Sequence, residues 1–202
     1  MRYRLQIRSL VAGAALVVTA VFSSPVPAAA ATAEAIFAAG CFWCVEADFD
    51  KVGGVVSTTS GYIGGHVPNP TYQIVTSETS GHKEAVKIVY DPDRVSYEQL
   101  LDHYWHNVDP FNARGQFCDN GDSYKPVIYA TTQEQRQAAL ASKVEVEKTL
   151  GRKTVVPVVD APTFYPAEDY HQDYYKKNPL RYNYYRSACG RDARLKQIWG
   201  GN

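Results

Sequence analysis

Methionine is nearly missing from this chain of 202 residues, where the one methionine is Met1. Methionine is readily oxidised to its sulfoxide. A chain without it has no such lesion to suffer, which suits work among oxidants as well as it suits chance. Net charge is missing too. Lys plus Arg number 21 and Asp plus Glu number 21, which leaves no electrostatic footprint for nucleic acid or an anionic membrane. Cysteine is scarce: Cys41, Cys44, Cys118 and Cys189 are all there is. Four do not make a disulfide scaffold at this length, and a core of this size stands without staples. Cys41 and Cys44 have the spacing of half a zinc site. Cys118 and Cys189 are lone residues, so the second pair is missing and no metal is expected. The stretch Gly61 to Gly65 lacks the Gly-Lys-Ser/Thr of a phosphate-binding loop, and no internal repeat is present.

The N-terminus lacks an apolar run of the about 20 residues that a spanning helix needs. It has Arg2, Arg4 and Arg8, then the apolar run Leu10 to Phe22, then Pro25, Pro27 and Ala28 to Ala31. Basic, apolar and small-residue regions in that order are expected to form a secretory signal peptide over residues 1–31, with an uncleaved anchor as the other reading. No cysteine lies near Ala20, so a lipoprotein anchor has no attachment point. The expectation is an exported protein, periplasmic or secreted, with no stable membrane anchor after cleavage and one domain over residues 32–202.

Within that domain, Ala35 to Ala39 reads as a strand stopping at Gly40. Phe42, Val45, Phe49 and Val52 recur at helical spacing up to Gly53-Gly54, so a helix is expected to start at or just after Cys41. Val55 to Thr59 reads as a strand, and Gly61 to Tyr72 as a loop. Residues 84–90 alternate as a strand that ends at Asp91-Pro92. Ser96 and Gln99 form a capping box with Val95 and Leu100 as its staple, followed by the stripe Tyr97, Leu100, Leu101, Tyr104, Trp105 and Val108. Asp109 to Lys125 reads as loop and Val127 to Ala130 as a strand. Thr132 and Gln135 start a polar helix ending at Gly151. Val155 to Val159 reads as an edge or bulged strand, because Pro157 donates no ladder bond. From Ala161 the chain reads as extended and loop-rich, with one short helix near Glu168 to Lys176. Strands and helices alternating around one core predict an α+β fold, a two-layer sandwich with a mixed sheet and a ferredoxin-like core.

Cys41 sits where strand turns to helix, and unpaired N–H groups at a helix start lower a thiol's pKa. A buried, inert cysteine is the other reading. Cys41-Phe42-Trp43-Cys44 is also the C-x-x-C of dithiol redox proteins, although its two middle residues are unusually bulky. Glu84 shares a strand face with Val86 and Ile88, where burial would raise its pKa and let it donate a proton near neutrality; a strand-edge Glu reaching water is the alternative. Asp119 reads equally as a turn residue before Asn120-Gly121. The tyrosine-dense stretch Tyr170 to Tyr185 reads as packing with wet hydroxyls.

Gly40-Cys41-Phe42-Trp43 resembles the signature of the A-type peptide methionine sulfoxide reductases. So do Val45-Glu46, Gly61-Tyr62-Ile63-Gly64-Gly65, Pro68-Asn69-Pro70-Thr71-Tyr72 and Gly81-His82-Lys83-Glu84-Ala85-Val86. Asp119 to Tyr124, Ala167 to Gln172 and Cys189-Gly190-Arg191-Asp192 are similar again, so the likeness runs from about Ala35 to about Trp199 on ordered motifs. The resemblance implies thiol-dependent reduction of methionine S-sulfoxide, free or in peptides and proteins, with Cys41 as nucleophile. It implies that Glu84, Tyr72 and Tyr124 hold the sulfoxide oxygen, with Asp119 near the site, and that Phe42 and Trp43 wall the S-methyl group. It implies a cysteine sulfenic acid, then an intramolecular disulfide recycled by an external thioredoxin-like dithiol, with no metal or organic cofactor. Cys189 matches a C-terminal resolving cysteine, with Cys44 and Cys118 as alternatives. Cys44 departs from the family's usual glycine. A general thiol–disulfide oxidoreductase built on Cys41 and Cys44, and a binding module built on the C-terminal tyrosines, are the rival readings.

Overall fold

The computed structural model describes residues 31–200; the segment read as a signal peptide, up to Ala30, lies outside the described residues. The order is β1 (Ala33–Ala38), α1 (Phe42–Phe49), β2 (Val55–Ile63), α2 (Tyr72–Thr76), β3 (Lys83–Tyr90), α3 (Tyr97–His106), β4 (Gly115–Gln116) and β5 (Asp119–Asn120). A 3-10 turn (Asp122–Tyr124), β6 (Val127–Ala130), α4 (Gln133–Thr149), β7 (Val158–Asp160), β8 (Phe164–Pro166), α5 (Tyr174–Lys177), α6 (Pro179–Ala188) and α7 (Arg191–Trp199) follow.

Six strands form one mixed sheet in the order β7-β6-β1-β3-β2-β8. β3 lies between β1 and β2 and is antiparallel to both, so β1 and β2 run parallel and α1 is the crossover between them. β6 is antiparallel to β1 and parallel to β7. The central elements therefore run strand, helix, strand, strand, helix, strand, the split connectivity of an α+β core.

Period-two alternation sorts the sheet's faces. Ala35, Phe37, Val86, Ile88 and Ile128 join the helix-side core with Phe42, Val45, Phe49, Leu100, Leu101 and Tyr104. Ile36, Ala38, Ala85, Val127 and Tyr129 form a smaller cluster on the opposite face with Ile63. The capping box of α3 is present in both halves: the Ser96 side chain accepts from the Gln99 N–H, and the Gln99 side chain accepts from the Ser96 N–H. That satisfies donors a helix start otherwise leaves unpaired.

Four expectations are corrected. β2 continues through Gly61 to Ile63 where a loop was expected, because Gly61 pairs with Pro166 of β8 on one side and Ala85 of β3 on the other. A Cβ on Gly61 would lie 2.4 Å from the Tyr165 carbonyl oxygen, so this glycine serves close strand approach. Helix α1 stops at Phe49, before the expected Gly53-Gly54. The strand expected at Val155 to Val159 starts only at Val158, past Pro157. The stretch Asp109 to Lys125 holds the short β4–β5 ladder and the 3-10 turn.

The C-terminal segment is richer in helix than expected. Pro179 occupies the first turn of α6, where its missing N–H costs nothing. Gly190, at φ +67°, turns the chain into α7. Side chains hold these helices to the body. The Arg186 guanidinium donates to both Asp48 oxygens at 2.9 and 3.1 Å. Arg191 donates to the Ala39 and Asn107 carbonyls at 3.3 and 2.6 Å. Among the described residues no helix is long and apolar enough to cross a membrane.

Candidate active site

Past the end of β1, Gly40 with a φ of +84° redirects the chain into α1. A Cβ there would meet the Gln116 Cβ at 2.5 Å, so no larger residue fits this turn. Cys41 is the N-cap of α1, and its carbonyl accepts from Cys44 and Val45 at 3.1 and 3.4 Å. Its side chain makes no capping bond, which leaves the sulfur to chemistry. Cys41 is 7% exposed, a single reachable point at the rim of the core. Burial pushes the thiol well up, with a Cys44 hydrogen bond and the charge of Glu84 as smaller causes. The helix start beside it opposes that push.

Glu84 lies on the helix-facing row of β3, opposite Tyr62 of β2 and almost fully buried. Its Oε2 accepts from the Phe42 N–H at 3.0 Å. Burial pushes this carboxyl up to about 8; the Phe42 bond pulls it down and the charge of Asp119 pushes it up again. A carboxyl in that state is protonated at neutral pH and can donate. The strand-edge alternative does not hold.

Two phenols complete the cluster. Tyr72 opens α2, its N–H donating to Glu168 at 2.9 Å. Tyr124 closes the 3-10 turn, which Glu78 anchors by accepting from the Ser123 N–H and hydroxyl at 3.0 and 2.6 Å. Burial first, and the charge of Glu84 second, push both phenols up, so both stay protonated as donors. The charge of Cys41 acts on each as well.

Asp119 opens β5. It accepts from the Tyr185 hydroxyl, and Tyr185 packs against the cluster of Cys44, Tyr174 and Tyr182. Burial pushes Asp119 up; the Tyr185 bond and Arg191 oppose it. Phe42 is core, tilted against His171 and Tyr62 at 4.9 and 5.8 Å between centroids. Trp43 is half-buried, stacks on Tyr174 at 3.7 Å and donates from Nε1 to His171 Nδ1 at 3.0 Å. Cys118 and Cys189 are joined in a disulfide, and Cys41 and Cys44 are free thiols. With Asp119, the two bonded sulfurs make the one His, Cys, Asp or Glu group among the described residues close enough to gather a metal ion. Sulfurs bonded to each other offer no thiolate to hold it.

With a cysteine at a helix start and a buried carboxyl bonded to the next residue, the chain matches known proteins over nearly its whole length. The family model described as "Peptide methionine sulfoxide reductase" matches residues 33–202. The chain belongs to the peptide methionine sulfoxide reductase family. It is similar to peptide methionine sulfoxide reductase MsrA 2 of Caulobacter vibrioides, 53% identical over 180 residues, covering 89% of this chain and 91% of that one. Among solved structures it is similar to Mxr1 of Saccharomyces cerevisiae in reduced form, with TM-score 0.70 and 26% identity over 73% of this chain and 86% of that chain. It is also similar to methionine sulfoxide reductase A of Corynebacterium diphtheriae, with TM-score 0.66 and 30% identity over 74% and 76%. The mixed α+β fold is shared with these reductases.

Reading the sequence for the reductase motifs missed four residues that hold the pocket. Tyr185 donates to Asp119, yet it was hidden among tyrosines read as packing. Glu168 ties Tyr72 to Tyr62, accepting from the Tyr62 hydroxyl at 2.8 Å. His171 receives Trp43 and lies tilted against Tyr72 at 4.5 Å between centroids. Glu168 and His171 both sit in the reductase motif Ala167 to Gln172, which was the available signal. Arg191, nearly fully buried, was visible only as a neighbour of Cys189.

Proposed function

We propose that this reductase acts on the S-epimer of methionine sulfoxide, free or in peptides and proteins, with Cys41 as nucleophile and Glu84 as proton donor. One observation carries the reading: Glu84 is buried, stays protonated to about 8 and is hydrogen-bonded to the residue next to Cys41. A sulfoxide oxygen must accept a proton as sulfur is attacked, and a positioned acid of matched pKa supplies it. The Cys41 sulfur attacks the sulfoxide sulfur, and Glu84 protonates the oxygen with Tyr72 and Tyr124 as further donors. The oxygen passes to Cys41, the sulfide leaves, and the thiol proton restores Glu84. The balance is Cys41–SH plus sulfoxide to Cys41–SOH plus sulfide. Trp43, with Phe42 behind it, provides the apolar wall for the S-methyl group. Asp119 holds the Tyr185 hydroxyl beside the site. A second cysteine then condenses with the sulfenic acid, and an external thioredoxin-like dithiol reopens the disulfide. The chemistry asks for no metal or organic cofactor.

The residues ahead of the domain support export to the periplasm or the medium, where disulfides persist. N-terminal sequencing of protein from culture medium or periplasm, beginning near Thr32 or Glu34, would support export; an intact Met1 in cytoplasmic protein would refute it. The activity is tested with dithiothreitol and a peptide carrying each sulfoxide epimer. Loss of the S-epimer alone is expected. Equal loss of both epimers, or reduction of protein disulfides alone, would refute the reading.

A further inference from the structure

The segment Ala167 to Gln172 is a brace between three elements. Both of its ends are fixed to β2. The Ala167 N–H donates to the Ser60 carbonyl at 2.9 Å. The Gln172 side chain accepts from the Ser60 N–H at 2.8 Å and donates to the Ser60 carbonyl at 2.9 Å. Between those ends the His171 N–H donates to the Glu168 carbonyl at 2.9 Å, closing a tight turn. The first side chain of the turn, Glu168, accepts from the Tyr72 N–H of α2 and the Tyr62 hydroxyl of β2. The last, His171, accepts from Trp43 of α1. The two central residues, Asp169 and Tyr170, are exposed.

Tyr170 is 53% exposed, yet its ring centroid lies 4.2 Å from that of His171, which is 2% exposed. His171 is in turn 4.9 Å from Phe42, 5.8 Å from Trp43 and 4.5 Å from Tyr72 between centroids. Tyr72 feels the charges of Glu84, Cys41 and Tyr170 together. Tyr170 thus carries the aromatic cluster around His171 out to solvent, on a turn that is bonded at both ends. We propose that Tyr170 is a specificity residue, whose exposed ring receives an aromatic side chain next to methionine sulfoxide in a peptide or protein substrate. The proposal rests on the reductase reading above and extends it from the reacting residue to its neighbour in the substrate chain.

The neighbours of Tyr170 favour stacking over ion pairing. The Glu168 carboxylate is engaged through both oxygens, Oε1 with Tyr72 and Oε2 with Tyr62. Asp169 and Lys177 bring one charge of each sign, the Lys177 ammonium donating to the Asp169 carbonyl at 2.9 Å. Balanced charges draw neither a cationic nor an anionic flank. An aromatic flank asks only for a ring face or edge, and such a pair strengthens binding by about 2- to 13-fold. Tyrosine is suited to that contact, because it offers a large rigid surface at low entropy cost and keeps its hydroxyl in water. The turn beneath it is held in advance, so little ordering is lost when a peptide arrives.

The test uses the full chain with dithiothreitol and two blocked tripeptides, one with phenylalanine and one with glycine on both sides of a methionine S-sulfoxide. The readout is the ratio of kcat/KM for the two peptides, in which general damage to the site cancels. The native chain is expected to favour the phenylalanine peptide by about 2- to 13-fold, mainly through KM. Tyr170→Ala and Tyr170→Leu are both expected to abolish the preference, and Tyr170→Phe, which keeps the ring, to retain it. No preference in the native chain, or a native-like preference in either Tyr170→Ala or Tyr170→Leu, would overturn the proposal and leave the reductase reading in place. No turnover of either peptide by the native chain would instead overturn that reading, and the proposal with it.

Discussion

The Phe42 N–H donates to Glu84 Oε2 at 3.0 Å across 42 residues of sequence. The residue after Cys41 is therefore tied to Glu84, and α1 cannot shift along β3 without breaking a buried hydrogen bond. The bond also sets the acid's strength. It is the one opposing influence among the main causes that push Glu84 up to about 8.

The pH dependence of turnover follows with a definite sign. The donating form of Glu84 is complete well below about 8 and is lost as pH rises through about 8. The native kcat/KM profile is expected to fall on the basic side near that value. Glu84→Gln is expected to lose about 10²–10⁴ in kcat/KM, the usual worth of a positioned general acid. The same falling limb in Glu84→Gln would assign it to another group.

Glu46 makes stability pH-dependent. It is nearly fully buried, and its Oε2 finds no hydrogen-bond partner. Burial pushes it from 4.5 to about 7, so between those values the folded chain keeps a proton that the unfolded chain has released. Its contribution is whole below about 4.5 and is lost as pH rises through about 7. Thermal melts of Glu46→Gln are expected to gain on the native chain between pH 5 and pH 8, by about 2–4 °C for each kcal/mol relieved. Parallel melting curves across that range would show that Glu46 is paired in solution.

Asp48 fastens the C-terminal helices to α1. It is 5% exposed and meets Arg186 at 2.9 Å and Arg191 at 3.6 Å. Removing one partner of a buried ion group leaves uncompensated charge, at about 3–5 kcal/mol. Asp48→Ala is expected to lose stability on that scale in urea unfolding and to expose α6 and α7 to limited proteolysis. A loss under about 1 kcal/mol, the range of surface pairs, would mean the cluster is solvated.

His171 positions Trp43 and leaves the chemistry to others. With Nδ1 accepting from Trp43, its proton belongs on Nε2. His171→Ala leaves the Trp43 N–H unpaired and removes a ring that Phe42, Trp43 and Tyr72 all touch. An unpaired buried donor costs about 1–3 kcal/mol, so kcat/KM is expected to fall about 5- to 150-fold at 1.36 kcal/mol per decade. The loss should lie mainly in KM, with the basic limb unmoved. A shift of that limb would give His171 a part in proton transfer.

What the sequence made legible is local. The capping box at Ser96, the turn at Gly40 and the alternation of β3 each act within a few residues, so pattern alone places α3, Cys41 and the buried face of Glu84. The helices α6 and α7 were not legible, because their stripes are built from Tyr, Arg and few aliphatic residues and are buried by ion pairs with α1. β8 was invisible for another reason: three residues ending in Pro166 make an edge strand only through β2. In the site, Cys41, Glu84, Tyr72, Tyr124 and Asp119 came from ordered motifs. Tyr185 did not, because its link to Asp119 spans 66 residues and no spacing rule reaches that far.

The central claim is that Cys41 attacks the sulfoxide sulfur while Glu84 supplies the proton. It is tested most directly by methionine formation from a peptide S-sulfoxide, with dithiothreitol at neutral pH, in the native chain, Cys41→Ser and Glu84→Gln. The expected result is turnover by the native chain, none by Cys41→Ser, and a rate about 10²–10⁴ lower in Glu84→Gln with Cys41 still reactive toward alkylation. Native-like turnover by either variant would contradict the account.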